Sequence, residues 1–206
     1  MLHIETVHPD TLGLLKRIQS LPVLSGTRLV GGTALALQLG HRESIDLDFF
    51  GNWGECDLQP DLESCGTVVR TGGTNRLQFY EIDHVKVDFV TYQYPWLGGA
   101  LCEDGIRLAQ IKDIAAMKLA AVTNRGRKKD FVDVAFLLDL LSLNEMLDLY
   151  QRKYPDGLKL FVMRSLVYFD DAEDEPMPVM LKPLDWETAK ERIRVAVRET
   201  ATREVN

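Results

Sequence analysis

Hydrophobic and polar residues alternate along the first half of the chain, whereas along the second half apolar residues recur at helical spacing. Short alternating runs predict strands, and these lie at residues 27–30, 44–50, 67–70, 76–82 and 85–92. Two helices are predicted among them, an amphipathic one at 8–20 and a short one at 33–39 that Gly40 ends. From residue 109 onward the period predicts helices, at residues 111–123, 128–141, 143–154, 157–168 and 186–201.

The order of these elements indicates the fold class. Strands followed by helices are typical of an α+β protein. We therefore expect a mixed β-sheet core over residues 1–105 and a helical C-terminal subdomain over residues 106–206.

The strand at 44–50 carries two carboxylates that alternation places on one face. Asp46 and Asp48 are two residues apart, so their side chains point the same way, roughly 7 Å apart along the strand. The apolar residues between and beside them, including Ile45, are expected to be buried on the opposite face. Asp88 occupies the polar face of the strand at 85–92. If the two strands are neighbours, three carboxylates share one side of the sheet.

Three close carboxylates repel one another unless a cation joins them. Hard oxygen ligands at that density suit Mg²⁺ or Mn²⁺, ions that commonly also bind substrate phosphates. The alternative is that the three acids only solubilise the outer face of a sheet.

A phosphate-type turn lies upstream of the acidic strand. Gly31-Gly32-Thr33 follows a predicted strand and opens a helix. Glycines let the backbone approach a ligand, and free N–H groups at a helix start bind anions. Alternatively this is a tight strand-to-helix turn with Thr33 as the N-cap. Arg42, just before the acidic strand, is a further candidate for phosphate contact.

A lysine interrupts the apolar stripe of the helix at 111–123. Lys118 falls between Ile114 and Ile111 on that stripe, where it must snorkel, pair with an acid or meet a ligand. Asp130 and Asp133, in the first turn of the next helix, are candidate partners. If the partner is a triphosphate, which we favour here, Lys118→Met should leave stability nearly unchanged and weaken nucleotide binding.

A local basic patch joins these two helices. The patch consists of Arg125, Arg127, Lys128 and Lys129. It is either an ordinary exposed loop between the helices or a binding site for a triphosphate or an RNA backbone.

The composition of the chain excludes several classes of protein. The 206 residues include 24 Lys and Arg against 31 Asp and Glu, a net charge of −7, which is not the balance of a protein that coats nucleic acid. Three widely spaced cysteines fit a reducing compartment. No signal peptide or membrane span is evident in the sequence, so we expect a cytoplasmic protein without a membrane partner.

Residues 31–48 resemble the nucleotidyltransferase superfamily of the DNA polymerase β type: Gly-Gly-Ser/Thr, about a dozen residues, an Asp-x-Asp strand and a third carboxylate on a later strand. The fuller strings GGTALALQLGHRESIDLDFF and IAAMKLAAVTNRGRKKDFVDVAFLL are similar to the AbiEii group of type IV toxin–antitoxin systems. The resemblance covers roughly residues 25–140 and, more weakly, the acidic segment at 170–181 and Trp186.

The resemblance implies a metal-dependent enzyme that moves an NMP from an NTP to an acceptor hydroxyl. Asp46, Asp48 and Asp88 would hold Mg²⁺ or Mn²⁺, and Lys118 and Asp130 would match a functional lysine and aspartate of the group. Arg42 and Lys129 are added by their position and charge, so the candidate nucleotide-binding residues are Gly31, Gly32, Thr33, Arg42, Lys118 and Lys129.

The same resemblance implies partners. The acceptor would be tRNA or another RNA, and a cognate antitoxin would neutralise the protein. The alternatives are a non-catalytic nucleotide-binding protein on the same fold and an aminoglycoside-type nucleotidyltransferase that modifies a small molecule.

Overall fold

The computed structural model describes residues 1–204 and forms two compact units. The first, here called the sheet unit, contains Met1–Tyr94 and Gly99–Gln110. The second, the helical unit, contains Pro95–Gly98 and the chain from Ile111 onward.

The sheet unit contains seven strands and three helices. Its helices are α1 (Pro9–Ser20), α2 (Gly31–Leu39) and α3 (Gln59–Leu62). Its strands are β1 (Thr27–Val30), β2 (Leu47–Gly51), β3 (Val68–Gly73), β4 (Leu77–Ile82), β5 (Val85–Thr91), β6 (Leu101–Glu103) and β7 (Ile106–Leu108).

All seven strands form one mixed sheet in the order β3-β4-β5-β2-β1-β7-β6. The β2–β5 and β1–β7 pairs are parallel, and the other neighbours are antiparallel. The predicted mixed sheet and α+β class are therefore confirmed. In addition, β2 and β5 are neighbours, as the carboxylate prediction required.

Apolar residues of β2 and β5 form the centre of the sheet unit's core. Leu47, Phe49, Val87 and Phe89 are fully buried, and the two phenylalanine rings stack with centroids 5.2 Å apart. The alternation places Asp48, Lys86 and Asp88 on the other side of the two strands, which they share with Phe50 and Val90 farther along.

The prediction for Ile45 was wrong, since its side chain is 69% exposed. The strand begins at Leu47 rather than at residue 44. The backbone N–H of Ser44 donates to the carbonyl of Thr6, at 2.9 Å, so this segment is held by the N-terminal region before β2 begins.

Two short elements of the sheet unit were not predicted. One is α3, and the other is the β6–β7 hairpin, whose Asp104-Gly105 turn has positive φ at both residues. Asp-Gly between two apolar runs is a recognised hairpin signal, so the β6–β7 hairpin could have been predicted from the sequence.

The helical unit contains five helices. These are α4 (Ile111–Asn124), α5 (Lys128–Leu137), α6 (Leu143–Lys153), α7 (Lys159–Leu166) and α8 (Trp186–Glu204). Each matches a predicted helix, although α5 and α7 end earlier than expected. None of the helices in the described part of the chain is both long and apolar enough to cross a membrane.

A buried ion pair ties the segment Pro95–Gly98 to the helical unit. Lys153 Nζ lies 2.6 Å from Asp113 Oδ1 and donates to the carbonyl of Pro95, and both charged side chains are fully buried. Asp113 also accepts the backbone N–H groups of Leu97 and Gly98. The Trp96 ring lies 4.8 Å from the ammonium.

Candidate nucleotidyltransferase site

Strand register brings two of the predicted carboxylates side by side. Asp48 of β2 pairs with Asp88 of β5 in the parallel ladder. Asp46 and Lys86 each lie one residue before the first pair of this ladder, Leu47 with Val87, and both line the same cavity. Asp48 with Asp88 forms one row across the two strands, and Asp46 with Lys86 forms a second row just before it. The two rows contain three carboxylates and one ammonium.

The turn from β1 into α2 meets the same carboxylates. Val30 pairs with Asp48 across the β1–β2 ladder, and Gly31 follows with φ +69°. A Cβ atom on Gly31 would lie 2.3 Å from Oδ2 of Asp48. Glycine therefore allows both the left-handed backbone and the close approach of the carboxylate to the start of α2.

Thr33 orients the acidic segment and does not cap the helix. Because α2 begins at Gly31, Thr33 is its third residue, so the N-cap alternative is wrong. The Thr33 side chain is buried, and its hydroxyl donates to the carbonyl oxygen of Asp46 and lies 2.9 Å from Oγ of Ser44. These contacts hold Asp46 at the start of β2.

Arg42 places a guanidinium beside the glycine turn. The residue is 3% exposed, and Nη1 donates to the carbonyl of Glu43 at 2.8 Å. A Cβ atom on Gly32 would lie 2.4 Å from Nη2 of Arg42. A fixed positive charge and the positive end of α2 thus lie together, which is favourable for an anion.

The two oxygens of the Asp88 carboxylate differ in their contacts: one forms an ion pair, and the other is buried. Its Oδ2 lies 2.7 Å from Nζ of Lys86. Its Oδ1 is buried, and no hydrogen-bond partner is found for it among the described residues. A buried carboxylate oxygen without a partner costs free energy unless a ligand satisfies it.

The donor set fits a hard divalent cation. Asp46, Asp48 and Asp88 offer only carboxylate oxygens, and the unengaged oxygen of Asp88 is available as a ligand. Among the side chains that the structure describes, no three of His, Cys, Asp or Glu form a group that could already hold a metal ion.

In the helical unit, Lys118 lies between two buried acids. Its Nζ is 2.8 Å from Oδ1 of Asp130 and 2.5 Å from Oδ2 of Asp133, and both acids are fully buried. Burial alone would raise the pKa of the Asp130 carboxyl, but Lys118 and Arg125 outweigh burial and hold that pKa below its usual value. These contacts favour a structural ion pair more strongly than the sequence did.

The basic patch is largely engaged within the helical unit. Arg125 donates from Nε to Asp130 at 3.0 Å. Lys128 is buried; its backbone N–H donates to Glu175 and its ammonium to the carbonyl of Glu173. The acidic segment thus packs on the start of α5, a contact that sequence reasoning missed. Lys129 is partly exposed.

Sequence reasoning also missed Lys86 as a neighbour of the carboxylates. The signal was available, because Lys86 and Asp88 are two residues apart in the alternating run VKVDFVTY and so share a face. Only the strand pairing shows that Asp46 and Asp48 lie beside them.

Gly31→Ala is expected to disturb the carboxylates as well as the backbone. The left-handed φ alone costs about 1–2 kcal/mol for a residue with a Cβ, and the new methyl would overlap the Asp48 carboxylate. Gly54→Ala is the matched control, since Gly54 has φ +79° with nothing within 4 Å of the added Cβ. Denaturant unfolding should show a larger loss for Gly31→Ala; equal losses would show that the contact with Asp48 is unimportant.

Solved structures share this architecture. JHP933 from Helicobacter pylori aligns with a TM-score of 0.59 at 20% identity, over 97% of this chain and 98% of that chain. MenT4, the nucleotidyltransferase toxin Rv2826c of Mycobacterium tuberculosis, aligns with a TM-score of 0.58 at 17% identity, over 92% and 84% of the two chains. These likenesses show that the fold of this chain, a mixed sheet followed by helices, is one that the two solved proteins share.

Sequence comparison adds the family. Residues 14–204 match the model of the nucleotidyl transferase AbiEii toxin family of type IV toxin–antitoxin systems, and the chain belongs to that family. It is also similar to the uncharacterized protein aq_aa25 of Aquifex aeolicus, at 33% identity over 193 residues, 90% of this chain and 93% of that protein. The predicted family and enzyme class are confirmed.

Proposed function

We propose that this nucleotidyltransferase moves an NMP from an NTP to an acceptor hydroxyl and depends on a divalent metal. The observation that carries the proposal is the in-register pairing of Asp48 with Asp88 beside the Gly31 turn. This pairing places carboxylate oxygens that suit a cation next to a helix start that suits an anion. Both lie in the sheet unit.

Asp46, Asp48 and Asp88 are the proposed metal ligands. Bound there, Mg²⁺ or Mn²⁺ would supply Lewis-acid stabilisation of charge on the α-phosphate and the leaving pyrophosphate. Asp88 would have a second task, since a carboxylate beside the acceptor hydroxyl favours its deprotonation.

The proposed phosphate-binding groups lie at the N-terminal end of α2. Backbone N–H groups at Gly31 and Gly32 lie at the positive end of the helix, and the buried Arg42 guanidinium lies against Gly32. Thr33 would act indirectly, since its hydroxyl holds the backbone of Asp46.

For the helical unit, family resemblance supports a role for Lys118 and Asp130 in nucleotide handling, and the charge of Lys129 in the basic patch supports its role as a phosphate contact. The ion pairs of Lys118 support a positioning role for Asp130, which holds the ammonium. Whether Lys118 itself contacts phosphate is tested by the Lys118→Met substitution described below.

Family membership implies a nucleotide substrate and a cognate antitoxin. We propose RNA, tRNA included, as the acceptor and toxicity as the biological role. A small-molecule acceptor of the aminoglycoside type is the second candidate.

The test is transfer of label from NTPs carrying a radioactive α-phosphate to an RNA pool, with Mg²⁺ and with EDTA. Label should reach RNA only when Mg²⁺ is present. Equal transfer of label in EDTA would contradict metal dependence. Label found only on small molecules would contradict an RNA acceptor. The absence of transfer to any acceptor would favour a non-catalytic binding protein.

Asp88→Asn is expected to separate chemistry from binding. Turnover should fall by at least about 100-fold, because a positioned base contributes about 10²–10⁴-fold, while NTP affinity changes little. Asp61→Asn, at an exposed acid of α3, is the control. Equilibrium NTP titration alongside the transfer assay checks this; wild-type turnover with lost NTP affinity would reverse the assignment.

A further inference from the structure

Lys86 belongs to the carboxylate cluster by position. It precedes Asp88 by two residues on β5, and it lines the same cavity as Asp46, the residue just before β2. Its ammonium is the only side-chain cation among the four residues that form the two rows described above. Three carboxylates and one lysine therefore share this part of the sheet.

The contacts of Lys86 are those of a counter-ion. Its Nζ lies 2.7 Å from Oδ2 of Asp88, with the lysine side chain 61% exposed and the Asp88 side chain 15% exposed. The hydrogen bond with Asp88 raises the pKa of Lys86, and the charges of Asp88, Asp48 and Asp46 raise it further. The ammonium thus contacts Asp88 from the solvent side, and its attraction to Asp46 and Asp48 acts at longer range.

An ammonium and a divalent cation compete for the same oxygens. Asp88 Oδ2 cannot give its full charge to a metal while it accepts the short charge-assisted hydrogen bond from Lys86. Lysine is a compact charge on a flexible stem, so it can release the carboxylate without movement of the strand.

The structure provides room for that release. Lys86 and Asp46 line a cavity of about 1020 Å³, and Glu5 and Glu43 line it as well. An ammonium displaced from Asp88 would remain among carboxylates in this cavity, which lowers the cost of the exchange.

We propose that Lys86 is a built-in counter-ion of the carboxylate cluster that competes with the divalent cation for Asp88 and so sets the metal affinity of the site. This inference rests on the proposed function, because it takes Asp46, Asp48 and Asp88 as the metal ligands. Lys86 is accordingly a positioning residue.

The experiment measures Mn²⁺ affinity by calorimetry for the full chain and three variants, Lys86→Met, Lys86→Arg and Lys16→Met. Lys16→Met is the matched control, since it removes the same charge from an exposed position of α1 in the same unit. Lys86→Met should bind Mn²⁺ about fivefold more tightly, the change that corresponds to the upper range for a partly exposed ion pair. Lys86→Arg and Lys16→Met should stay within about twofold of the wild type.

Thermal unfolding of the same proteins in EDTA at low salt supplies a second measurement. Lys86→Met leaves three carboxylates without their cation, so its Tm should fall below that of Lys16→Met, and added Mn²⁺ should reverse the difference. A merely structural lysine would lower the Tm without tightening Mn²⁺ binding.

Unchanged or weaker Mn²⁺ binding by Lys86→Met, relative to Lys16→Met, would overturn the inference while leaving the metal site intact. Weaker binding of Mn²⁺-NTP with unchanged Mn²⁺ affinity would assign Lys86 to the nucleotide and overturn it as well. Asp48→Asn in the same titration tests the proposed function separately. If Asp48→Asn binds Mn²⁺ as the wild type does, the metal site itself is wrong.

Discussion

Replacing Asp48 by asparagine is expected to abolish both Mn²⁺ binding and nucleotide transfer. Asp48 lies at the centre of the cluster, paired with Val30 on one side and with Asp88 on the other. Its Oδ2 lies against the start of α2. Asparagine keeps the shape, removes the charge and replaces one acceptor oxygen by an NH₂ donor, so the loss would report on the carboxylate rather than on packing.

The expected loss of turnover for Asp48→Asn exceeds about 100-fold, because changes one shell away from a metal already cost about 10–100-fold. Stability should change by no more than about 1 kcal/mol, since the substitution also relieves repulsion among the acids.

Asp61→Asn, an exposed acid on α3 of the same unit, is the control and should behave as the wild type. Calorimetric Mn²⁺ titration and the label-transfer assay measure the two effects for both variants. A folded Asp48→Asn variant that keeps Mn²⁺ binding and turnover would refute the assignment of the metal site.

Lys118→Met is expected to cost about 3–5 kcal/mol of unfolding free energy, the range for breaking a buried ion pair by removing one partner. The substitution would leave Asp133 and Asp130 buried with less compensation, although Arg125 would still contact Asp130. This differs from the expectation based on sequence, which treated the lysine as directed at a triphosphate. The two carboxylates within 2.8 Å are the reason for the change.

Lys112→Met is the control for that substitution, since Lys112 is exposed on the same helix. Denaturant unfolding and NTP titration on each variant separate the two roles. A large loss of stability with unaltered NTP affinity and turnover would make Lys118 purely structural. Unchanged stability with weaker NTP binding would return it to the nucleotide site.

Much of the fold followed from local pattern. The change from alternating to helical periodicity placed the strands and helices, because backbone geometry sets a period of two in strands and 3.6 in helices. The Gly31-Gly32 turn and the shared face of Asp46 and Asp48 were predictable for the same reason. The family motif supplied the enzyme class, which the comparisons confirm.

Local pattern failed where neighbouring chain segments decide the conformation. Ile45 fits an alternating strand, yet the backbone contact of Ser44 with Thr6 holds this segment before β2 begins, and Ile45 remains exposed. Short elements such as α3 carry too few residues for periodicity to register.

The sequence by itself determined the class of protein, the order of its elements and which polar residues share a face, because these depend on residues close together in the chain. Only the tertiary structure decided that Asp48 lies in register with Asp88, that Lys86 joins them, and that Lys118 lies between two buried acids. Strand order and ion-pair partners depend on contacts between distant segments, and those contacts form only when the burial of apolar surface brings the segments together.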